Sequence, residues 1–556
     1  MICFDFEVFR HDWLVVIIDE HGRETVIVND ADRLREFHKS HIDDIWLGYN
    51  SRNYDQWILK GLVAGFSAWD INDWIINRQR SGWEFSDVLK RIPLNTYDVF
   101  TGFHGLKTLE AFMGHDIRET SVPFDIDRPL TSEEIESTIG YCRHDVEETI
   151  EVFLRRADDF KAHIELLKSF RLPISLVSKT KAQLIAKILE ARPTTYHDEF
   201  DLIIPDTLIL ERYSNVLDWY MKPSNRSYDK RLETRISGVP HVFAWGGVHG
   251  AIDRFHAKGR FLMIDVASLY PSLMIRYNLL SRTVKEASRY REIYETNLAM
   301  KRTHDSRRPA YKLVCNTTYG CMKDPYNPLY DPRMANCVCV AGQLLLLDLM
   351  EKLEGCCRLI QSNTDGLLVQ VEDDLSETLL RGTVLEWEQR TGLHMEYTEF
   401  MEVWQKDVNN YLAIEPNGHV KSKGAYVKRL NDLDNDLPIV NLALREYMTH
   451  GTPVDKTIVS CDDLMQFQKI VHVSSKYRYA VWNGIKQTDR TFRVFASVRG
   501  GGQISKVKTT RREKFANTPD RCFIVNEDVT DAKVDDRLDK RWYIRLAQSR
   551  LKEFGA

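Results

Sequence analysis

The stretch Asp265-Val-Ala-Ser268-Leu269-Tyr270-Pro271-Ser272 constrains this chain more than any other. It follows the apolar run Phe261-Leu-Met-Ile264, so it reads as a buried strand that delivers a carboxylate to its end and then turns. An unpaired buried charge is expensive, so a carboxylate there needs a basic partner or a metal ion. A second apolar strand, Leu359-Ile360, leads into Asn363-Thr364-Asp365-Gly366 and on into Leu367-Leu-Val369. Two strands that each present an aspartate at a turn can hold a pair of magnesium ions, which suits phosphoryl transfer. Between them lies Lys312-Leu-Val-Cys-Asn316-Thr-Thr-Tyr319-Gly320.

With 556 residues, 43% hydrophobic and 28% charged, the chain can form about three to five compact units. Met1-Ile-Cys-Phe-Asp5-Phe-Glu7 carries acids where a signal peptide has a basic region and an apolar run. No apolar run is expected to cross a bilayer. The ten cysteines lack the paired Cys-x-x-Cys spacing of a structural zinc site, so they read as reduced core thiols of a cytoplasmic protein. The net charge of −5 argues little about partners, because local fields matter more. The segment from Lys476 to Lys514 is basic, with Arg478, Lys486, Arg490, Arg493, Arg499, Lys506, Lys508, Arg511 and Arg512. Interleaved Tyr477, Tyr479, Trp482, Phe492 and Phe495 suggest phosphate-backbone binding there.

Residues 1 to about 165 read as an α/β unit. Trp13–Ile18, Thr25–Val28, Ile45–Leu47 and Tyr97–Phe100 are strand-like, and Thr131-Ser-Glu-Glu134 is a capping box opening one helix to about residue 168. Residues 166–255 are less legible and end in Trp245-Gly246-Gly247-Val-His249-Gly250, a cluster suited to close backbone approach or a tight turn. From 260 to about 420 strands alternate with helices, including Val338–Leu353. The end, Leu538–Phe554, reads as an amphipathic helix.

Asp5 and Glu7, two apart in the first strand, face one side. Asp55 follows Asn50-Ser-Arg-Asn-Tyr54 at a helix start, and Tyr141 and Asp145 share a helix face. Something cationic must gather four carboxylates, and two magnesium ions would do so, with Tyr141 orienting the attacking water. This ordered set resembles the DEDDy group of 3′–5′ proofreading exonucleases: Asp-x-Glu, Asn-x-x-x-Tyr-Asp, Tyr-x-x-x-Asp. His144 stands outside that pattern and is taken as a bystander.

Asp-x-x-Ser-Leu-Tyr-Pro-Ser, Lys-x-x-x-Asn-x-x-Tyr-Gly and the late Thr-Asp resemble the core motifs of family B DNA polymerases, in the order nuclease, palm, fingers, palm, thumb. The resemblance implies an α+β multidomain chain, with an RNase H-like exonuclease domain followed by a right-hand polymerase. Expected segments are exonuclease 1–165, a connecting region 166–255, palm 256–283 and 323–428, fingers 284–322, and a thumb with DNA-binding region 429–556. It implies Asp265, the Val266 carbonyl and Asp365 as metal ligands, with two Mg2+ in the polymerase site and two at Asp5, Glu7, Asp55 and Asp145; Mn2+ is a substitute. Ser268 and Leu269 would offer backbone amides to the triphosphate, and Tyr270 would exclude a 2′-hydroxyl. Lys312 and Arg308 would reach phosphates, with Lys301 or Arg302 as lesser candidates. Asn316 and Tyr319 would line the nascent base pair, and Thr364 and Tyr411 the substrate. Asn363 stands where the family has a first aspartate, Ala244 where it has the tyrosine of Tyr-x-Gly-Gly, and Asn409 where it has a primer-contacting lysine. Lys406 or Lys423 would supply that contact.

Implied partners are primer–template DNA, deoxynucleoside triphosphates, and a replisome helicase or single-strand binding protein; the expected state is a monomer off the membrane. The nuclease motif begins at residue 5, and the Tyr270–Lys312 and Tyr319–Asp365 connections are short. Both facts suit a compact replicase of a phage or mobile element that extends a nucleic-acid primer without a long protein-priming insertion. Two alternatives stay open: an exonuclease with a degenerate polymerase half, and a non-enzymatic DNA-binding replication factor.

Overall fold

The computed structural model describes residues 1–509 and 511–556. The chain is a mixed α/β protein that divides into two compact units. One comprises Met1–Thr180, Leu430–Pro438 and Cys461–Trp542; the other comprises Lys181–Arg429, Ile439–Ser460 and Tyr543–Ala556.

The first unit is built on a five-stranded sheet of β1 (Ile2–Val8), β2 (Trp13–Asp19), β3 (Glu24–Val28), β4 (Ile45–Gly48) and β5 (Asn95–Asp98), in the order β3-β2-β1-β4-β5. β1 pairs antiparallel with β2 and parallel with β4. Strand alternation sorts the two faces of β1. Ile2, Phe4, Phe6 and Val8 pack with Ile58, Leu59 and Leu62 of the Asp55–Val63 helix. Cys3 packs on the other face, with Leu109, Cys142 and Val146 from the Leu106–Met113 and Ser132–Arg155 helices. Asp5 and Glu7 share the parity of Cys3. The capping box forms as expected, with Thr131 Oγ1 accepting from Glu134 N (3.2 Å) and Glu134 Oε2 from Thr131 N (2.8 Å). The single helix expected to residue 168 is two, Ser132–Arg155 and Ala157–Ser169, meeting at Arg156, whose guanidinium donates to Val99 O (2.9 Å).

The later part of this unit includes a three-stranded sheet of Lys469–His472, Thr491–Ala496 and Cys522–Ile524. It corrects part of the basic-surface expectation. Phe492, Arg493 and Phe495 are fully buried. Arg493 donates to the carbonyls of Ala111 (3.2 Å), His115 (2.8 Å) and Glu527 (2.7 Å) and to Gln468 Oε1 (3.0 Å). Burial pulls its pKa down to about 10. Arg490 donates to the carbonyls of Val473, Ser474 and Tyr477. Both arginines hold the fold together. The exposed cations among the described residues of that segment are Lys476, Arg478, Lys486, Arg499, Lys508, Arg511, Arg512 and Lys514.

The second unit holds a nine-stranded antiparallel sheet in the order β14-β13-β12-β9-β11-β10-β8-β7-β6. Its strands are β6 (Arg231–Ile236), β7 (Val239–Ala244), β8 (Gly247–Ala251), β9 (Phe255–Val266), β10 (Arg358–Ser362), β11 (Gly366–Val371), β12 (Met395–Asp407), β13 (Asn410–Ile414) and β14 (Val420–Lys423). Phe261–Ile264 of β9 are buried between β11 and β12. Against expectation, one helix, Pro332–Lys352, is long and apolar enough to cross a membrane, but its apolar window is 94% buried inside the protein. It begins earlier than the sequence suggested, capped by Asp331, which accepts from Met334 N. It carries buried Asp348, which forms a two-pronged ion pair with Arg390 (2.8 and 2.9 Å). Such a pair marks a core helix. The helices Ala287–Thr303 and Arg308–Lys323 are tied by Tyr290, whose hydroxyl donates to Cys315 O (2.9 Å).

Candidate active sites

Asp5, Glu7, Tyr54, Asp55, Tyr141 and Asp145 line one cavity of about 680 Å3 in the first unit. Asp55 is the first residue of its helix, and its Oδ1 accepts from Phe6 N (3.2 Å), which fixes the carboxylate beside β1. Glu7 and Asp55 are buried. Burial, then the charges of Asp55, Glu7 and Asp145, lifts Asp5 well above the ordinary carboxylate range. Glu7 is lifted by burial and by Asp145 and Asp55. Burial pushes Asp55 up to about 7. Clustered, desolvated carboxylates of this kind favour a proton or a cation. One oxygen each from Asp5 and Glu7 lies with Cys142 Sγ in a group within 4.8 Å. The Cys142 thiol donates to Asp5 O (3.3 Å), and burial beside Asp5 keeps it protonated. The oxygen donors therefore fit a hard divalent cation, while the thiol acts as a hydrogen-bond partner.

Lys107 is the residue that sequence reasoning missed here. Its Nζ lies 2.7 Å from Asp145 Oδ1 and 3.0 Å from Glu110 Oε2, and 4.9 Å from the Tyr141 ring centroid. No spacing rule links Lys107 to Asp145, which is 38 residues away. His144, expected to be a bystander, bonds Asp116 O (3.2 Å), but its ring also lies 3.5 Å from Glu110 Oε2 and groups with Glu110 and Asp145 within 4.8 Å. Tyr54 donates to Asn72 Oδ1 (2.7 Å) on the wall of the same cavity. Exposed Phe124 and Ile76 also line it, and Phe124 stacks on buried Phe9 (centroids 5.2 Å apart).

In the second unit, β9 and β11 bring Asp265 opposite Gly366. Val266 N donates to Asp365 O (2.7 Å), so the two aspartates share one end of the sheet. A Cβ on Gly366 would lie 2.0 Å from Asp265 Oδ1; the glycine leaves the room that this carboxylate occupies. Burial, with Asp365 and Glu396 adding to it and Lys421 opposing, pushes Asp265 up to about 6. The turn Asn363–Asp365 is closed by Asn363 N donating to Gly366 O (2.8 Å). Asn363 Oδ1 accepts from Thr364 N (2.8 Å), so its side chain folds back onto the turn. Ser268 follows at φ +53° and makes no side-chain cap hydrogen bond to the Leu269–Arg276 helix. A left-handed serine is uncommon, and here it turns the chain sharply after β9. Tyr270, on that helix, packs against Tyr319 with ring centroids 4.0 Å apart. The charge of Asp365 reaches both Tyr270 and Tyr411 and helps burial raise their pKa values, Tyr411 to about 12.

Lys312 and Asn316 are exposed on one face of the Arg308–Lys323 helix, with half-buried Arg308 and Tyr319 on the same face. Arg308 Nε is buried and has no hydrogen-bond partner among the described residues. Lys301 instead pairs with Glu396 (2.9 Å), which lies opposite Asp265 on β12. Lys406 is held 3.4 Å from Asp407 and 3.5 Å from Glu553. Lys423 lies opposite Tyr411 and near His249. The cation nearest Asp265 is Lys421, with Nζ 3.9 Å from Oδ2 and 3.0 Å from Met263 Sδ. Sequence reasoning passed over it, although the Val-Lys-Ser-Lys alternation of β14 puts both lysines on one face. Gly247, at φ +149°, lies near Thr364, so the glycine cluster borders the Asn363–Asp365 turn.

No family model matches the chain, and no curated protein matches it. Among solved structures, it is similar to the family B DNA polymerase from the hyperthermophilic archaeon Pyrobaculum calidifontis, at 15% identity and a TM-score of 0.43, over 100% of this chain and 77% of that one.

Proposed function

We propose that the chain is a DNA-directed DNA polymerase with a 3′–5′ exonuclease, working on primer–template DNA and deoxynucleoside triphosphates. The observation that carries this reading is the meeting of Asp265 and Asp365 at one sheet end, with Tyr270, on the helix that follows β9, packed against Tyr319. The separate carboxylate cavity in the first unit supports the exonuclease. Asp265, the Val266 carbonyl and Asp365 would hold divalent cations in one site, and Asp5, Glu7, Asp55 and Asp145 in the other. Bound there, Mg2+ or Mn2+ would supply charge neutralisation and a lowered pKa for the attacking oxygen.

The chain's own residues do the rest. Lys312 and Arg308 approach the triphosphate from the Arg308–Lys323 helix, and Tyr270 on Tyr319 forms the floor under the sugar. Lys421 steadies the Asp265 charge. In the exonuclease, Tyr141 orients the attacking water while Lys107 fixes Asp145, and Phe124 offers a face for the terminal base. The short Tyr270–Lys312 connection supports a compact replicase of a phage or mobile element, with modest intrinsic strand displacement. Long products from a nicked circle without a helper protein would sink that last point.

The test is a pair of variants on one primed template. Asp365→Ala should abolish extension and leave single-strand digestion, and Asp5→Ala/Glu7→Ala should do the reverse. Loss of both activities in either variant would count against separate sites. DNA binding with neither activity in the unmodified chain would favour a non-enzymatic factor.

A further inference from the structure

On three neighbouring strands of the nine-stranded sheet, His241 of β7 and Ser362 of β10 both stand opposite Gly250 of β8. The imidazole lies across Gly250: a Cβ there would sit 2.3 Å from His241 Nε2 and Cδ2 and 2.5 Å from Cε1. Its Nε2 reaches Ser362 Oγ at 2.7 Å, and its Nδ1 reaches Val239 O at 2.8 Å. A carbonyl only accepts, so Nδ1 carries the proton and Nε2 accepts from the Ser362 hydroxyl. Both side chains are buried, at 1% and 0% exposure, and burial drives the imidazole pKa down to about 4, so the ring is neutral and keeps this tautomer.

Ser362 is the last residue of β10, and the next three are Asn363, Thr364 and Asp365. On β11, directly after the turn, Gly366 makes room for Asp265. A polar strut spanning three strands is costly to bury unless fully bonded, and this one ends where the turn begins. We propose that His241 is a positioning residue: through Ser362 it fixes the exit of β10 and so the placement of Asp365 against Asp265. The inference rests on the polymerase reading for its catalytic consequence, but not for its structural one.

The test uses His241→Ala, His241→Gln, Ser362→Ala and Gly250→Ala in the full chain. Glutamine at 241 can place an acceptor near the imidazole Nε2 and serves as the conservative rescue. Gly250→Ala evicts the ring without altering either partner. Steady-state extension of a primed template should show kcat lowered about tenfold or more in His241→Ala and Gly250→Ala, with the KM for deoxynucleotide nearly unchanged. His241→Gln should recover most of it. His241→Ala/Ser362→Ala should lose no more than His241→Ala alone, as for two ends of one interaction. Hydrogen exchange gives a readout independent of activity: peptides covering Ser362–Gly366 should exchange faster in His241→Ala and return towards normal in His241→Gln. Undisturbed exchange at the turn, or additive losses in the double variant, would overturn the proposal. If the unmodified chain extends no primer, the functional reading fails, and the exchange result still decides the strut.

Discussion

Gly366→Ala tests the geometry of the proposed polymerase site with a single methyl group. The added Cβ would lie 2.0 Å from Asp265 Oδ1, 2.8 Å from Ile264 O and 3.0 Å from Asp265 Cα. Two of these three neighbours are backbone atoms of β9, so rotating one side chain cannot relieve the contact. The carboxylate must move by roughly 1 Å to reach a normal separation, and a misplacement of about that size costs on the order of 10²-fold in rate. That corresponds to about 2.7 kcal/mol of lost transition-state stabilisation. Overpacking of the strand pair should cost about 1–3 kcal/mol in folding stability. The assay is single-turnover primer extension, with digestion of single-stranded DNA measured on the same preparation. Gly382→Ala is the control: this glycine lies inside the Asp374–Thr391 helix with nothing within 4 Å of the added Cβ. It should stabilise by up to about 1 kcal/mol and leave both activities unchanged. Extension by Gly366→Ala within about threefold of the unmodified chain, less than half of one decade, would refute the claim that Asp265 needs that space.

Other outcomes follow from the same coordinates. Lys107→Met removes the lysine that pairs with buried Glu110 and half-buried Asp145, leaving His144 beside Glu110; urea unfolding should show a loss of about 3 kcal/mol, and single-strand digestion should fall while extension persists. Asn363→Asp keeps an acceptor for Thr364 N and adds charge beside Asp365; half-saturating Mg2+ for extension should drop, as read from a metal titration. In the metal-free protein, Asp55 protonates at about 7 instead of the ordinary 3.8. An acid raised in this way supports the fold while protonated, and that support is lost as pH rises through the folded value. Thermal melts should therefore show stabilisation by Mg2+ that is larger near pH 8 than near pH 5.5, with the difference absent in Asp5→Ala/Glu7→Ala/Asp55→Ala.

The gathering of Asp5, Glu7, Asp55, Tyr141 and Asp145 around one cavity was legible because its local signals are short-range. Asp5 and Glu7 share a face through strand alternation, Asp55 opens a helix, and the Thr131–Glu134 box fixes the helix that carries Tyr141 and Asp145. What stayed illegible depends on distant partners. Ile236 and Val239 flank a two-residue Ser237-Gly238 turn with positive φ at both positions, yet the charges of β6 (Arg231, Glu233 and Arg235) and Pro240 inside β7 mask the strand pattern. The break at Arg156 has no glycine or proline to announce it. Arg493 looked like a surface cation because the carbonyls that bind it come from residues more than 370 positions earlier as well as from nearby. Lys423 was singled out and Lys421 passed over, because nothing local tells which of two lysines on one strand face comes within 3.9 Å of an aspartate more than 150 residues earlier.

The Arg493 clamp bears on how this protein is made. The Leu106–Met113 helix emerges from the ribosome long before the guanidinium that binds Ala111 O and the neighbouring His115 O. Until then His115 O waits for its donor, Ala111 O has only the Gly114 amide of its own helix end, and the apolar face against Ile470 stays open. The first unit is therefore a late finisher despite its early start: its leading segment waits, partly exposed, while the whole second sheet is synthesised. Chaperone engagement during synthesis would be expected on the leading segment, and a chain arrested before residue 493 should be proteolysed from its oldest end.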